Sequence, residues 1–196
     1  MKMRKLARDS SGQSLVETAL VLPLLLTIVL NAVNFAFFFL MALNITSSSR
    51  TSGIYSIMGG ATPAAMGLPQ AGPQTTTSTV SYLAFQDLTG AVSTPSTSNT
   101  GVNVCSSTVG LSGSGSSTVT TCSSLGVGSG FPASAPDADP EAPSFLLGRV
   151  DVAYKFSPPI PLTPFNALLL VAPNCISSGG SVSCTFYRHV EMREMQ

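Results

Sequence analysis

Hydrophobic and polar positions divide the chain into one long apolar run, a middle with little pattern, and a C-terminal region of alternating residues. Between Ala19 and Ile45 only Thr27, Asn31, Asn34 and Asn44, with Pro23, interrupt the apolar side chains, and no charge occurs between Glu17 and Arg50. As a helix, the 27 residues from Ala19 to Ile45 extend about 40 Å at ~1.5 Å per residue, enough to cross a hydrocarbon core of about 30 Å with tilt. The pattern therefore predicts a transmembrane helix over 13–45. Pro23 removes one hydrogen bond and predicts a bend near Leu20. Phe35, Phe37, Phe38 and Phe39 fit packing or interfacial anchoring, and Asn31 and Asn34, three apart on one face, hint at hydrogen bonding to another helix. From Asn44 the pattern turns polar, predicting a helical extension over 46–60 that stops at the glycine pair 59–60. Its serines and Gly53 are weak helix formers, so packing on the outside domain must hold it.

At the other end of the chain, Val150, Val152, Tyr154 and Phe156 alternate with Asp151, Ala153 and Lys155, as a half-buried strand should. Pro158, Pro159, Pro161 and Pro164 then force a connection outside any strand ladder, and the apolar run Ala167 to Ala172 is too short to span a bilayer. Val182, Cys184, Phe186, Val190 and Met192 resume period two, with Arg188 the polar exception on that face. An antiparallel pairing of 149–156 with 181–193 follows, making 149–196 a C-terminal β region. Residues 61–148, rich in Ser, Thr, Gly and Pro, read as a variable region of loops or surface strands, with a short helix or strand at Val80 to Leu88. The fold class expected is α+β: a long N-terminal transmembrane helix extending into a small antiparallel-sheet extracytoplasmic domain.

Charge placement adds an orientation. Lys2, Arg4, Lys5 and Arg8 precede the apolar run, so the positive-inside rule keeps 1–12 in the cytoplasm and sends everything after Ile45 across the membrane. Lys+Arg and Asp+Glu balance at 9 each, and no basic cluster marks a nucleic-acid footprint. All four cysteines, Cys105, Cys122, Cys175 and Cys184, fall beyond the span, where an oxidising compartment permits disulfides. Four cysteines allow three connectivities; the sequence-local pairs Cys105–Cys122 and Cys175–Cys184 are favoured, because each closes a short Ser- and Gly-flanked segment. Their spacings fit no zinc or redox motif. A secretory signal is the weaker reading of the N-terminus, since the apolar segment is about twice the usual 7–15 residues and no small-x-small cleavage site follows it.

The polar head of the run reads G12-Q13-S14-L15-V16-E17. A basic leader, a Gly, four residues and a Glu ahead of a long apolar helix resemble the processing site of type IV pilin-like proteins, whose inner-membrane prepilin peptidase cuts after the Gly on the cytoplasmic face. More narrowly, G-QSLVETALVLPLLL, the SSSRTSGIYSI after the span, and V150-D-V-A-Y-K-F156 with VEMRE resemble the TadE-like minor pseudopilins of tight-adherence (Flp-type) pilus systems. The resemblance implies cleavage between Gly12 and Gln13, with Glu17 then fifth in the mature chain and available to the new N-terminal ammonium of a neighbouring subunit. It implies as partners the inner membrane, the prepilin peptidase, other pilin and pseudopilin subunits and the pilus assembly machinery. Thr18 stands where the family's motif usually carries an aromatic residue. Independently of any family, a carboxylate entering hydrocarbon costs roughly 2.5–3.5 kcal/mol at the helix centre and must find a partner or snorkel. Ser14-x-x-Glu17 also has capping-box form, with the carboxylate returning to the Ser14 N–H.

Catalysis has little to stand on. The lone histidine, His189, sits in a strand without evident partners, and no nucleophile-elbow, zincin or P-loop motif is present. Asp137, Asp139 and Glu141 in PDADPEAP invite a calcium reading, but Pro136, Pro140 and Pro143 and the missing ligand-loop pattern favour a solvated linker. A non-enzyme without metal, cofactor, nucleic acid or small-molecule substrate is expected. Two classes remain: a minor pseudopilin, or an unprocessed single-pass membrane protein with a periplasmic or surface binding domain.

Overall fold

One helix, α1, runs from Ser11 to Met58 without interruption, 48 residues with Pro23 inside it. The computed structural model describes residues 11–58, 79–89, 94–109, 118–126 and 145–195. The basic leader up to Ser10, the glycine pair 59–60 and the acids Asp137, Asp139 and Glu141 lie outside the described residues. From Asn31 onward α1 buries a stripe that includes Asn31, Asn34, Met41, Ile45, Ser48, Ser52 and Ser56, with Phe38 half-buried. Steps of three and four keep these positions on one face of a 3.6-residue helix. That stripe turns small towards its end for a reason. A Cβ on Gly53 would sit 3.0 Å from Val190 Cγ1, and one on Gly148 would sit 3.3 Å from Ile57 Cγ2, so both glycines let helix and sheet close up.

Helix α2, Val80–Thr89, crosses this far half of α1 and buries Val80, Ser81, Ala84, Phe85 and Leu88. Thr79 caps it by accepting a hydrogen bond from the Tyr82 N–H at 3.2 Å. The Ser48 hydroxyl donates to the Ala84 carbonyl at 3.2 Å, a contact that only small side chains on both helices permit.

Five antiparallel strands form a single sheet: β1 Thr100–Val109, β2 Thr118–Gly126, β3 Phe145–Phe156, β4 Cys175–Ser178 and β5 Ser181–Met195, in spatial order β2-β1-β3-β5-β4. The expected pairing of 149–156 with 181–193 is present as β3 with β5, with Val150 opposite Val190 and Phe156 opposite Cys184. Two of the five strands, β1 and β2, come from the Ser/Thr-rich middle, and β1 is interior to the sheet, not a surface strand. Its Val102 and Val104 are fully buried opposite Val152 and Val150. Together with Met41 and Ile45 of α1 and Leu88 of α2 they form the core. Phe38 completes it at one end, 4.8 Å from the Phe186 ring centroid and 6.1 Å from that of Phe156.

Both favoured cysteine pairs are bonded, Cys105–Cys122 and Cys175–Cys184. Each joins residues directly opposite in an antiparallel ladder. They staple the two outermost strands, β2 and β4, to their inner neighbours. By loop-closure entropy, ties spanning 17 and 9 positions contribute about 3 kcal/mol each. Cys184 faces the helices; Cys105, one residue past Val104, faces the other side.

Candidate membrane and assembly site

The N-terminal stem of α1 is exposed among the described residues. From Gln13 to Val29 every side chain except Thr27 is exposed, including Leu15 and Leu20 at 71% each. Gln13 to Leu30 is 18 residues, about 27 Å at ~1.5 Å per residue and close to the ~30 Å of a hydrocarbon core. Large aliphatic residues presented all round a helix are stable in lipid or against other apolar helices, not in water. At the head of this stem, Gly12 and Gln13 lie in the first turn of α1. The Gln13 amide is 3.5 Å from Glu17 Oε1, and the Thr18 hydroxyl donates to the Ser14 carbonyl at 2.9 Å. Ser14 is therefore helical and cannot act as an N-cap, so the capping-box reading fails: the helix has already begun at Ser11. Glu17 is exposed, and the Gln13 amide is the group that reaches its carboxylate.

Burial starts abruptly at Asn31. Its amide donates to the carbonyls of Thr27 and Pro164 at 2.9 and 3.0 Å. Asn34, fully buried, donates to the carbonyls of Ile160 and Phe165 at 3.0 Å and to Asn166 Oδ1 at 2.8 Å, while its own oxygen accepts from the Ile160 N–H at 3.3 Å. Asn166 in turn donates to Ile160 and Leu162 carbonyls at 2.7 and 2.8 Å. These asparagines are thus bound within the chain, to the proline-rich connection between β3 and β4. The expectation that Asn31 and Asn34 reach another helix is corrected: the connection folds back alongside α1 and takes up their amide groups. Two 3-10 turns, Thr163–Asn166 and Leu169–Val171, shape that connection.

On the sheet face away from α1, polar residues close a network that the alternation alone describes as solvent-facing. Arg149 Nε donates to Asp151 Oδ1 at 2.8 Å, Nη1 to Glu191 Oε1 at 3.2 Å and Nη2 to the Tyr187 hydroxyl at 2.9 Å. Tyr187 donates to Asp151 as well, and Asn103 Nδ2 donates to Asp151 Oδ2 at 3.0 Å. Asp151 is 0% exposed and Arg149 7%. Burial works to lower the pKa of the Arg149 guanidinium, but Asp151 and Tyr187 outweigh it and hold it above its ordinary value. Burial, then the Asp151 carboxylate, push Tyr187 up, with Arg149 opposing. The signal for this cluster is in the sequence after all: Arg149-x-Asp151 share a strand face, and Glu191 and His189 stand opposite them in register. His189 is exposed, its ring 6.0 Å from that of Tyr187.

Among the described residues one helix, α1, is long and apolar enough to cross a membrane, and it continues into a disulfide-bonded antiparallel-sheet domain, an α+β architecture. Residues 12–53, from the glycine at the head of the stem to the glycine that meets the sheet, match the family model described as TadE-like protein, so that segment is similar to TadE-like proteins. A TadE-like helix points to a protein associated with the Tad pilus. No curated protein and no solved structure matches the chain.

Proposed function

We propose that this chain is a minor pseudopilin, a structural subunit in biogenesis of a tight-adherence (Flp-type) pilus and not an enzyme, processed by a prepilin peptidase between Gly12 and Gln13. The observation that carries the proposal is the bare stem. From Gln13 to Val29 the helix is mostly apolar, exposed at every side chain but Thr27, and carries one exposed carboxylate, Glu17, one turn in. The TadE-like match, which starts at residue 12, supports the same boundary. In this reading the N-terminus is cytoplasmic, the stem lies in the inner membrane, and the disulfide-bonded domain is periplasmic or extracellular. Cleavage frees an ammonium at Gln13; the Glu17 carboxylate of one subunit pairs with the ammonium of the next, and packing of stems against stems replaces lipid.

N-terminal sequencing of membrane-extracted protein tests it. A start at Gln13 that is lost in Gly12→Ala, or on deletion of the cognate peptidase, is expected; an intact Met1 start sinks the proposal and leaves an unprocessed single-pass protein with an outside binding domain. Glu17→Ala is expected to keep cleavage and lower the number of pili, and normal pilus numbers in that variant contradict the pairing role.

A further inference from the structure

The proline-rich connection between β3 and β4 leaves large aliphatic side chains facing outwards: Leu162 is 56% exposed, Leu168 52%, Leu170 43% and Val171 83%. No charged residue occurs between Lys155 and Arg188. This loop is bound to α1 through Asn31 and Asn34, the first two residues of the buried stripe, so it is the part of the domain that borders the bare stem. If Glu17 marks the inner boundary, a core of about 30 Å takes roughly 20 helical residues and ends near Phe37 or Phe38, beyond both asparagines. An amide at that depth needs a partner inside the protein, and irregular backbone is tolerated there only when its polar groups are satisfied. The asparagine amides find such partners, and in doing so satisfy the carbonyls of Ile160, Pro164 and Phe165 in the loop. Prolines at 158, 159, 161 and 164 carry no N–H that would need an acceptor.

We infer that loop 160–171 is a second membrane contact: its aliphatic side chains insert into the outer leaflet beside α1 and seat the sheet domain directly on the bilayer. The occupant of this apolar surface is lipid, because the surface is continuous with the stem and the stretch is free of charge. The inference rests on reading the stem as the membrane span, and the test separates the two.

The natural chain has no tryptophan, so a single introduced one reports on its own surroundings. Full-length Leu22→Trp, Val171→Trp and Met58→Trp proteins are reconstituted in phosphatidylethanolamine/phosphatidylglycerol vesicles with brominated acyl chains. Val171 and Met58 are 83% and 74% exposed, so neither substitution disturbs the core. Val171→Trp is expected to be blue-shifted and quenched roughly half as strongly as Leu22→Trp or more, since interfacial groups bury about 5–10 Å into the headgroup boundary, and Met58→Trp is expected to stay unquenched. Quenching of Leu22→Trp without Val171→Trp overturns the inference and leaves the span intact, whereas an unquenched Leu22→Trp removes both. A Val171→Trp blue shift that disappears when protein is diluted in lipid means a second copy covers the loop, which also overturns it.

Discussion

Val21, Leu24 and Ile28 in the first half of α1 are the same kind of residue as Met41 and Ile45 in the second, yet the former are exposed and the latter are 3% and 0% exposed. Apolarity does not separate the halves. What does is the presence, from Asn31 onward, of groups with defined partners: amides that bind a loop, and serines and a glycine small enough to admit α2 and β5. Burying Met41 and Ile45 contributes about 1.5–3 kcal/mol each, a gain reached only because those neighbours bring the sheet into contact. An apolar helix thus becomes a core wall where polar and small residues give it an address, and remains a stem where they do not.

The largest effect is expected from attacking the sheet that the packed half rests on. Asp151→Ala leaves the Arg149 guanidinium buried with its main counter-charge gone, for an expected loss of roughly 3–5 kcal/mol in denaturant unfolding of the full chain in micelles. Glu191→Ala, at the solvated end of the same network, should cost under about 1 kcal/mol. Equal effects from the two would mean that the network is hydrated and the packed half is held by apolar contact alone.

Asn34→Ala comes next and strikes the boundary itself. It strips donors from the Phe165 carbonyl and from Asn166, for about 2–3 kcal/mol, because unsatisfied buried polar groups cost more than a hydrogen bond yields. Leu22→Ala, 12 positions earlier in the bare half, should change domain unfolding by less than about 0.5 kcal/mol. A comparable loss from Leu22→Ala would erase the distinction between the halves.

That boundary marks how far the sequence is legible. The long helix, the β3–β5 pairing and both disulfides follow from hydropathy, alternation and cysteine spacing, since each signal is local and repeats. The transition at Asn31 is not local: an asparagine in an apolar run reads the same whether its partner is another helix or a loop some 130 residues on. Strand β1 was hidden differently, because only Val102 and Val104 among its polar neighbours mark the buried face, too short an alternation to stand out in a Ser/Thr-rich stretch. Asp151 reads as solvent-facing until its cross-strand neighbours Asn103 and His189, and Arg149 two residues before it, are placed around it.

Gly53→Ala tests the small-residue half of the argument. In an isolated helix alanine is better than glycine by about 0.8–1 kcal/mol, whereas overpacking a tight contact costs about 1–3 kcal/mol. With Val190 Cγ1 only 3.0 Å from the new Cβ, the clash should win by about 1 kcal/mol, read as a lower denaturation midpoint. A rise in the midpoint instead would show that α1 and β5 have room to separate.

The smallest effect is expected from Asp87, where α2 faces the polar end of α1. Burial raises its pKa above the ordinary 3.8, and the Thr51 hydroxyl on α1 pulls the other way without cancelling the rise. A raised folded-state pKa means the native protein holds the proton more tightly than the unfolded chain. The stabilisation from that proton is complete only below the unfolded value near 3.8 and is lost as pH rises through the folded one, so at neutral pH the ionised carboxylate weighs against the fold. Asp87→Asn keeps the shape of the side chain and removes the charge. Its Tm should exceed the parent's slightly at pH 7 and by progressively less as pH falls towards about 3.8, converging below it. A gap that stays constant with pH would mean that the α1–α2 contact gains from the amide itself, and that burial of the charge plays no part in setting where the packed half ends.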